Sequence, residues 1–133
     1  MKNPSDAQSQ RMLVLARFAP GDGRNLKWLV TRRRQLPGLS GTLLFDGERV
    51  AELLMGRAEV LDAAWADLCA DPMFSVRIRM LRDPHPQPQI HLPPVWRYGY
   101  CEIADLDAVF ARAPTGLALD SLACVAGRVD LSP

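Results

Sequence analysis

The sequence of 133 residues lacks a long apolar run, a strong net charge and a large cysteine content. A helix that spans a membrane needs about 20 consecutive apolar residues, and no run approaches that length. Residues 1–10 are polar where a secretion signal would be apolar. The formal net charge of +1 gives no overall field that would attract nucleic acid. We therefore expect a cytoplasmic protein that binds neither membranes nor nucleic acid.

The cysteines are odd in number and widely spaced, at Cys69, Cys101 and Cys124. This pattern predicts reduced thiols rather than a disulfide framework, and Cys69 falls on the apolar stripe of a predicted helix. With 48% apolar residues, the chain can build one ordinary core. We expect a flexible arm over residues 1–10, a folded domain over 11–103 and a C-terminal helical extension over 104–133.

Residues 39–56 carry the clearest β-hairpin pattern in the chain. Two apolar runs, residues 42–45 and 50–54, flank Asp46 and Gly47, a dipeptide that supplies the backbone angles of a tight turn. Glu52 stands within the second run, which otherwise has the composition of a strand buried on both faces. A single carboxylate in such a strand indicates a functional site or a buried ion pair.

The remaining periodicities predict three further strands and two helices up to residue 102. Apolar residues recur at helical spacing in residues 25–34 and 57–70, and strands are predicted at 12–18, 75–81 and 96–102. The resulting order of strand, helix, strand, strand, helix and strand is typical of the α+β ferredoxin-like fold, with one additional strand. A C-terminal helix capped by Asp105 and a weaker helical segment at 119–125 follow.

The second face of this sheet needs a cover, from either the C-terminal segments or another subunit. The C-terminal region holds more apolar residues than one short helix can hide. We therefore expect a homo-oligomer or a protein partner that contacts this region. The apolar residues are Ile103, Leu106, Val109, Phe110, Leu117, Leu119, Leu122 and Val125.

Four short motifs resemble those of the BLUF domains, a family of flavin-based blue-light sensors. Residues 38–47, GLSGTLLFDG, are similar to the family hairpin G-I-T-G-x-L-x-Y-D-G. Residues 54–56 and 71–72 stand where the family has L-E-G and D-P, and residues 96–100, WRYGY, are similar to W-x-M-G-F. The resemblance covers residues 12–102 in order, and it implies the same ferredoxin-like fold.

The resemblance also implies an FAD molecule whose ring lies between the two helices. In the family, light rearranges hydrogen bonds among a Tyr, a Gln and the flavin. The Tyr position falls at Leu15 or Ala16, the Gln position at Glu52, and the Asn that binds the ring at Arg34 or, with one deletion, at Gln35.

Other positions that the resemblance assigns to the flavin site are also substituted. The family Arg and His fall at Met73 and Phe74, the family Met falls at Tyr98, and Trp96 is retained. An ionised Glu can only accept hydrogen bonds, and each lost bond to a buried polar ring costs about 1 kcal/mol. The candidate cofactor-binding positions are therefore Arg34, Gln35, Glu52, Trp96 and Tyr98, and FAD is predicted to be absent or weakly bound.

Three functional hypotheses follow from these residues. The first is a BLUF-type signalling protein with a degenerate flavin site, which is not an enzyme and acts through protein contacts. The second is a functional FAD photoreceptor, and the third is an enzyme on a ferredoxin-like scaffold that uses Glu52 as a general acid or base. A salt bridge from Glu52 to Arg34 or to a strand arginine is the simpler alternative. His85 and His91 lack nearby ligands, so no metal is expected.

Overall fold

The computed structural model describes residues 10–19, 25–70, 74–84, 95–112 and 117–132, with the backbone alone over residues 75–84. His85, His91 and residues 1–9 of the predicted flexible arm lie outside these residues, whereas Gln10, the last residue of that arm, begins the first strand. The described chain forms five strands and four helices. In chain order they are β1 (Gln10–Phe18), α1 (Asn25–Arg34), β2 (Ser40–Phe45), β3 (Arg49–Gly56), α2 (Ala58–Ala70), β4 (Phe74–Pro84), β5 (Trp96–Tyr100), α3 (Ile103–Ala111) and α4 (Leu117–Ala126).

The five strands form one sheet in the order β4-β1-β3-β2-β5. Strand β1 is antiparallel to both β3 and β4, and β2 is antiparallel to β3. The added strand β5 pairs parallel with β2 at the edge. This arrangement confirms the predicted α+β, ferredoxin-like fold with an additional strand.

Helices α1 and α2 pack on the same face of the sheet, as the order of elements predicted. Their buried residues contact side chains that alternate along the strands, because every second residue of a strand points to the same face. This first core contains the helix residues Leu26, Leu29, Val30, Leu61, Ala64 and Leu68 and the strand residues Met12, Val14, Ala16, Leu43, Val50, Leu54 and Trp96.

The second face of the sheet is covered by α3 and α4, which bury Leu106, Val109 and Leu122 against strand residues such as Leu15 and Leu44. The C-terminal region thus forms both of the predicted helical segments, and it supplies the cover for this face over the described side chains of β1, β2 and β3. The homo-oligomer or protein partner stays a prediction. Ile103 and Leu117 alone among the predicted apolar set are largely exposed, at 61% and 55%.

The capping residue of α3 lies three positions before the predicted one, Asp105. The helix begins at Ile103, so Glu102 is the capping residue and Asp105 lies in the first turn. The Asp105 side chain accepts a hydrogen bond from the backbone N–H of Glu102 at 3.1 Å. Asp105 therefore satisfies a backbone donor before the helix begins, which an aspartate in the first turn does as part of a capping box.

The hairpin turn is joined to α3 through Arg49. Asp46 accepts hydrogen bonds from the backbone N–H groups of Glu48 and Arg49, at 2.9 and 2.7 Å, which closes the turn. The Arg49 guanidinium pairs with Asp46 and Asp107 and donates to the carbonyl of Ile103. Burial alone would lower the pKa of Arg49, but hydrogen bonds to these carboxylates outweigh burial and raise it. The turn thus fixes the position of the second helical layer.

The cysteine thiols fall into two environments. Cys69 was predicted on the apolar stripe of α2 but is exposed, as is Cys124. Cys101 is partly buried, and burial, followed by the carboxylates of Asp105 and Asp46, raises the pKa of its thiol to about 12. Since the thiolate is the reactive form, Cys101 is unsuited to nucleophilic chemistry near neutral pH.

We expect Cys101 to react with iodoacetamide at pH 8 about a hundredfold or more slowly than an ordinary cysteine of pKa about 8.5. Mass spectrometry of the native and urea-unfolded protein measures the modification at each position. The pKa of Cys101 is higher in the folded than in the unfolded chain. The stabilisation that comes with the protonated thiol is therefore complete below about pH 8.5 and is lost as the pH rises toward 12. Equal labelling of Cys101 in the native and unfolded protein would contradict this assignment.

Candidate functional site

Glu52 lies at the centre of the sheet and is completely buried. Its neighbours across the sheet are Val14 on β1 and Leu43 on β2. Val50 and Leu54, two residues away on either side, belong to the core under α1 and α2, so Glu52 points toward the same two helices. An ionised carboxylate at such a position is stable only with charged or hydrogen-bonding partners.

Arg33 of α1 supplies the main partner. Its Nε and Nη2 atoms donate to Oε2 and Oε1 of Glu52 at 2.9 and 3.0 Å, a bidentate arrangement that matches the two planar groups. Its Nη1 atom donates to the backbone carbonyl of Ala64 on α2 at 3.2 Å. Both side chains of the ion pair are fully buried. Arg33 therefore bridges α1, α2 and the sheet in the space between the helices.

Trp96 completes the environment of Glu52 from strand β5. Its indole N–H donates to Oε2 of Glu52 at 3.3 Å, so the carboxylate accepts three hydrogen bonds. The ring of Tyr98 stacks beside the Trp96 ring with centroids 5.9 Å apart. The guanidinium of Arg34 lies over the Tyr98 ring, 5.7 Å from its centroid. A continuous row of charged and aromatic groups thus leads from the buried ion pair to the surface.

A second ion pair joins the two helices nearer to solvent. Arg32 donates to Asp67 at 2.7 Å, and its guanidinium lies 5.9 Å from the centre of the Trp28 ring. The hydrogen bond to Asp67, together with its charge, raises the pKa of Arg32. The Arg32–Asp67 pair is partly exposed, whereas the Arg33–Glu52 pair is fully buried.

The structure brings together four of the five candidate positions. Glu52, Trp96, Tyr98 and Arg34 form the row described above, whereas Gln35 is exposed at the end of α1 and its backbone N–H donates to the Arg32 carbonyl. The predicted salt bridge of Glu52 exists, but its partner is Arg33 rather than Arg34 or a strand arginine.

Sequence reasoning missed Arg33, although a signal was present. Arg33 follows Leu26, Leu29 and Val30 at the spacing of one helix face, seven, four and three residues away, so it continues the apolar stripe into the core. A charged residue on the buried stripe of a helix requires a buried partner of opposite charge. Glu52 was the one carboxylate already placed in a buried strand.

No hydroxyl group faces the ion pair from strand β1. The apolar β1 residues that point toward the two helices are Met12, Val14, Ala16 and Phe18, and Leu15 belongs to the opposite core. Of the two positions proposed for a tyrosine, only Ala16 is therefore on the side of Glu52. Val14, directly across from Glu52, carries no polar atom either.

Solved structures similar to this chain share its fold at low sequence identity. BlrB, a BLUF protein in its dark state, superimposes with a TM-score of 0.70 and 16% identity over 92% of this chain and 98% of that chain. BlsA in its photo-activated state superimposes with a TM-score of 0.63 and 11% identity, over 88% of this chain and 94% of the BlsA chain. The chain has the BLUF fold. A Klebsiella pneumoniae BlrP1 structure with FMN and cyclic diGMP superimposes with a TM-score of 0.56 and 20% identity. The match covers 72% of this chain but only 26% of the BlrP1 chain.

Comparison by sequence adds no relative to these structures. No protein-family profile matches the chain, and no curated protein is significantly similar to it. The BLUF fold is thus shown by the arrangement of strands and helices rather than by sequence identity.

The residues of this BLUF fold do not match a flavin ring between α1 and α2. The side chain of Arg33 crosses that space, from Glu52 on the sheet to the Ala64 carbonyl on α2. Glu52 already accepts three hydrogen bonds. The helix-facing core residues of β1 are apolar: Met12, Val14, Ala16 and Phe18. A polar ring would therefore meet apolar groups and a carboxylate engaged elsewhere.

The described residues also contain no cluster of His, Cys, Asp and Glu side chains that is suited to a metal ion. Across the same part of the chain, every helix is too short or too polar to cross a bilayer.

Proposed function

We propose that this chain is a BLUF-fold signalling domain that works without flavin and acts through contacts with another protein. The observation that carries the proposal is the buried Arg33–Glu52 ion pair, which occupies the space between the helices. The family resemblance places the flavin ring in this same space. A cofactor-dependent light response would therefore require the ion pair to be broken.

The energetic cost of breaking the pair supports this proposal. Leaving one partner of a buried ion pair without the other costs about 3–5 kcal/mol. Since each 1.4 kcal/mol is a factor of ten in affinity, this cost alone weakens ring binding by about a hundredfold to a few thousandfold. A site of micromolar affinity would then bind flavin only at concentrations of about 0.1 millimolar to a few millimolar.

The purified protein is expected to be colourless and to show no light-induced change in absorbance. Visible spectra are recorded directly after purification, after refolding with excess FAD and again after blue illumination. Protein refolded without FAD is the control for native structure, which circular dichroism verifies.

Two results of this experiment contradict the proposal in different ways. A yellow protein with one FAD per chain would show that the ring binds despite Arg33. A red shift on illumination would establish the alternative, a functional photoreceptor. The remaining alternative, an enzyme that uses Glu52, receives no support from the geometry, because all three hydrogen bonds to this buried carboxylate come from the protein.

A further inference from the structure

The space between α1 and α2 presents hydrogen-bond acceptors to the group that occupies it. On the sheet side these are the two carboxylate oxygens of Glu52, and on the α2 side it is the backbone carbonyl of Ala64. The indole N–H of Trp96 donates to Glu52, so this donor is already used. Because the carboxylate is completely buried, it needs a positive charge beside it. The described polar groups around this space therefore select a cation that donates hydrogen bonds.

The positions of the acceptors select a flat cation. Each of the three guanidinium nitrogens of Arg33 reaches a different acceptor: Nε and Nη2 reach the two oxygens of Glu52 at 2.9 and 3.0 Å, and Nη1 reaches the Ala64 carbonyl at 3.2 Å. A guanidinium group carries these nitrogens in one rigid plane, whereas an ammonium group has a single nitrogen for all three acceptors. A planar cation can thus bind the sheet and α2 at the same time.

The acceptors are carried by parts of the fold that Arg33 does not form. Glu52 lies on β3, which is paired on both sides within the sheet, and its carboxylate also accepts a hydrogen bond from Trp96. The Ala64 carbonyl belongs to the backbone of α2. Arg33 alone comes from α1. Its guanidinium is therefore bound by these groups in the way that a ligand is bound by its receptor.

We propose that the space between α1 and α2 is a binding site for a planar, guanidinium-type cation, and that Arg33 is its tethered occupant, which keeps the domain in the ligand-bound arrangement. The inference rests on the proposed function, since it names the ligand class that the same site takes in place of flavin. The bound cation links α1, α2 and the sheet, so its presence fixes how the two helices lie on the sheet. An oxidised flavin ring falls outside this class, because it is uncharged and offers one N–H donor against several acceptors.

The first test separates the occupant from the chain. The atoms that Arg33→Ala removes beyond Cβ are those of the N-ethylguanidinium ion, which is the probe. Circular dichroism follows thermal unfolding of the full-length variant with the probe at about 10 mM, far below the molar concentrations at which guanidinium salts unfold proteins. With a dissociation constant on the order of 1 mM, the probe is expected to raise Tm by about 5 °C. The unmodified chain, whose site is filled by Arg33, is expected not to be stabilised.

Two further compounds test the ligand class at the same concentration and ionic strength. N-ethylurea has nearly the same shape without the charge, and propylammonium has the charge without the plane of donors. Neither is expected to raise the Tm of Arg33→Ala by more than about 1 °C.

Two variants test the place of binding. The double variant Arg33→Met with Glu52→Leu lacks the carboxylate, so the probe is expected to leave its Tm unchanged. Arg32→Ala removes the neighbouring arginine from a pair with Asp67 that is partly exposed, and it is the matched control that the probe does not rescue.

Hydrogen exchange tests the link between the helices and the sheet. In Arg33→Ala, amides of α1 and α2 are expected to exchange about tenfold faster or more than in the unmodified chain, and the probe is expected to slow them again. If the variant does not fold without the probe, the native fraction after refolding from urea, measured by tryptophan fluorescence, replaces Tm. The same order of compounds is then expected, with N-ethylguanidinium alone restoring native protein.

Three outcomes overturn the cation site: no stabilisation of Arg33→Ala by N-ethylguanidinium, equal stabilisation by N-ethylurea or propylammonium, and equal stabilisation of the double variant. None of these measurements depends on absorbance. A colourless protein without rescue refutes the cation site alone, whereas a yellow unmodified protein refutes the proposed function.

Discussion

Replacing Glu52 with alanine is expected to lower the free energy of unfolding by about 3–5 kcal/mol, and Arg33→Ala is expected to do the same. Each substitution leaves the other charge buried without its bidentate partner, at a position with no exposure to solvent. The loss would exceed the effect of the missing packing alone, since an unpaired charge must be either hydrated or neutralised inside the core. Urea unfolding, monitored by tryptophan fluorescence, measures the change in the free energy of unfolding.

The neighbouring ion pair supplies the control for this experiment. Arg32 and Asp67 join the same two helices, but their side chains are 43% and 23% exposed. Asp67→Ala is therefore expected to cost only about 0.2–1 kcal/mol. If Glu52→Ala and Asp67→Ala had equal effects, the assigned burial of the Arg33–Glu52 pair would be wrong.

Removing both buried charges together separates the cost of an unpaired charge from the value of the pair. The double variant Arg33→Met with Glu52→Leu is expected to recover most of the stability lost by either alanine variant, because no charge is left unpaired. A double variant as unstable as the sum of the single variants would indicate that the pair itself contributes the stability.

Gly41→Ala is expected to prevent folding or to lower the free energy of unfolding by more than about 4 kcal/mol. Gly41 has a φ of +142°, and a Cβ atom there would overlap the backbone carbonyl of Leu53 on the neighbouring strand. Neither atom can rotate away, so strands β2 and β3 would have to separate locally. Soluble yield and thermal unfolding are the measurements.

Gly127→Ala is the matched control for Gly41. Its added Cβ atom would meet neighbours at ordinary contact distances, 3.6 and 3.7 Å, with no unusual φ. We expect a change within about 0.5 kcal/mol, as for a typical surface substitution. Normal stability of Gly41→Ala would show that the hairpin pairs in a different register.

The fold was largely predictable because its local signals agree with its global arrangement. The Asp46–Gly47 turn, the stripes of α1 and α2 and the order of elements all point to one sheet with two helices on one face. The C-terminal layer was less predictable. Whether Leu106 and Leu122 cover the protein's own sheet or another subunit depends on a sheet face that the helix sequence does not specify.

The candidate site was half predictable for a different reason. Glu52 stood out as a carboxylate in a buried strand, but its partner was hidden within a run of three arginines that resembles an ordinary basic helix end. Successive helix residues point about 100° apart. Arg32 therefore reaches Asp67, Arg33 enters the core and Arg34 lies over Tyr98. Composition alone does not distinguish the positions of these three arginines.

The Arg33–Glu52 pair also determines which alignment of the central strands is possible. If β3 slipped by one residue against its neighbours, Glu52 would turn to the opposite face, where it would meet Leu13, Leu15 and Leu44. Arg49, the cation over the Phe110 ring of that core, is already paired with Asp46 and Asp107, and Arg33 would remain buried without a carboxylate. An apolar residue at position 52 would tolerate the slip far better, because leucine can be buried on either face. The pair thus makes misaligned sheets too costly to compete with the native one.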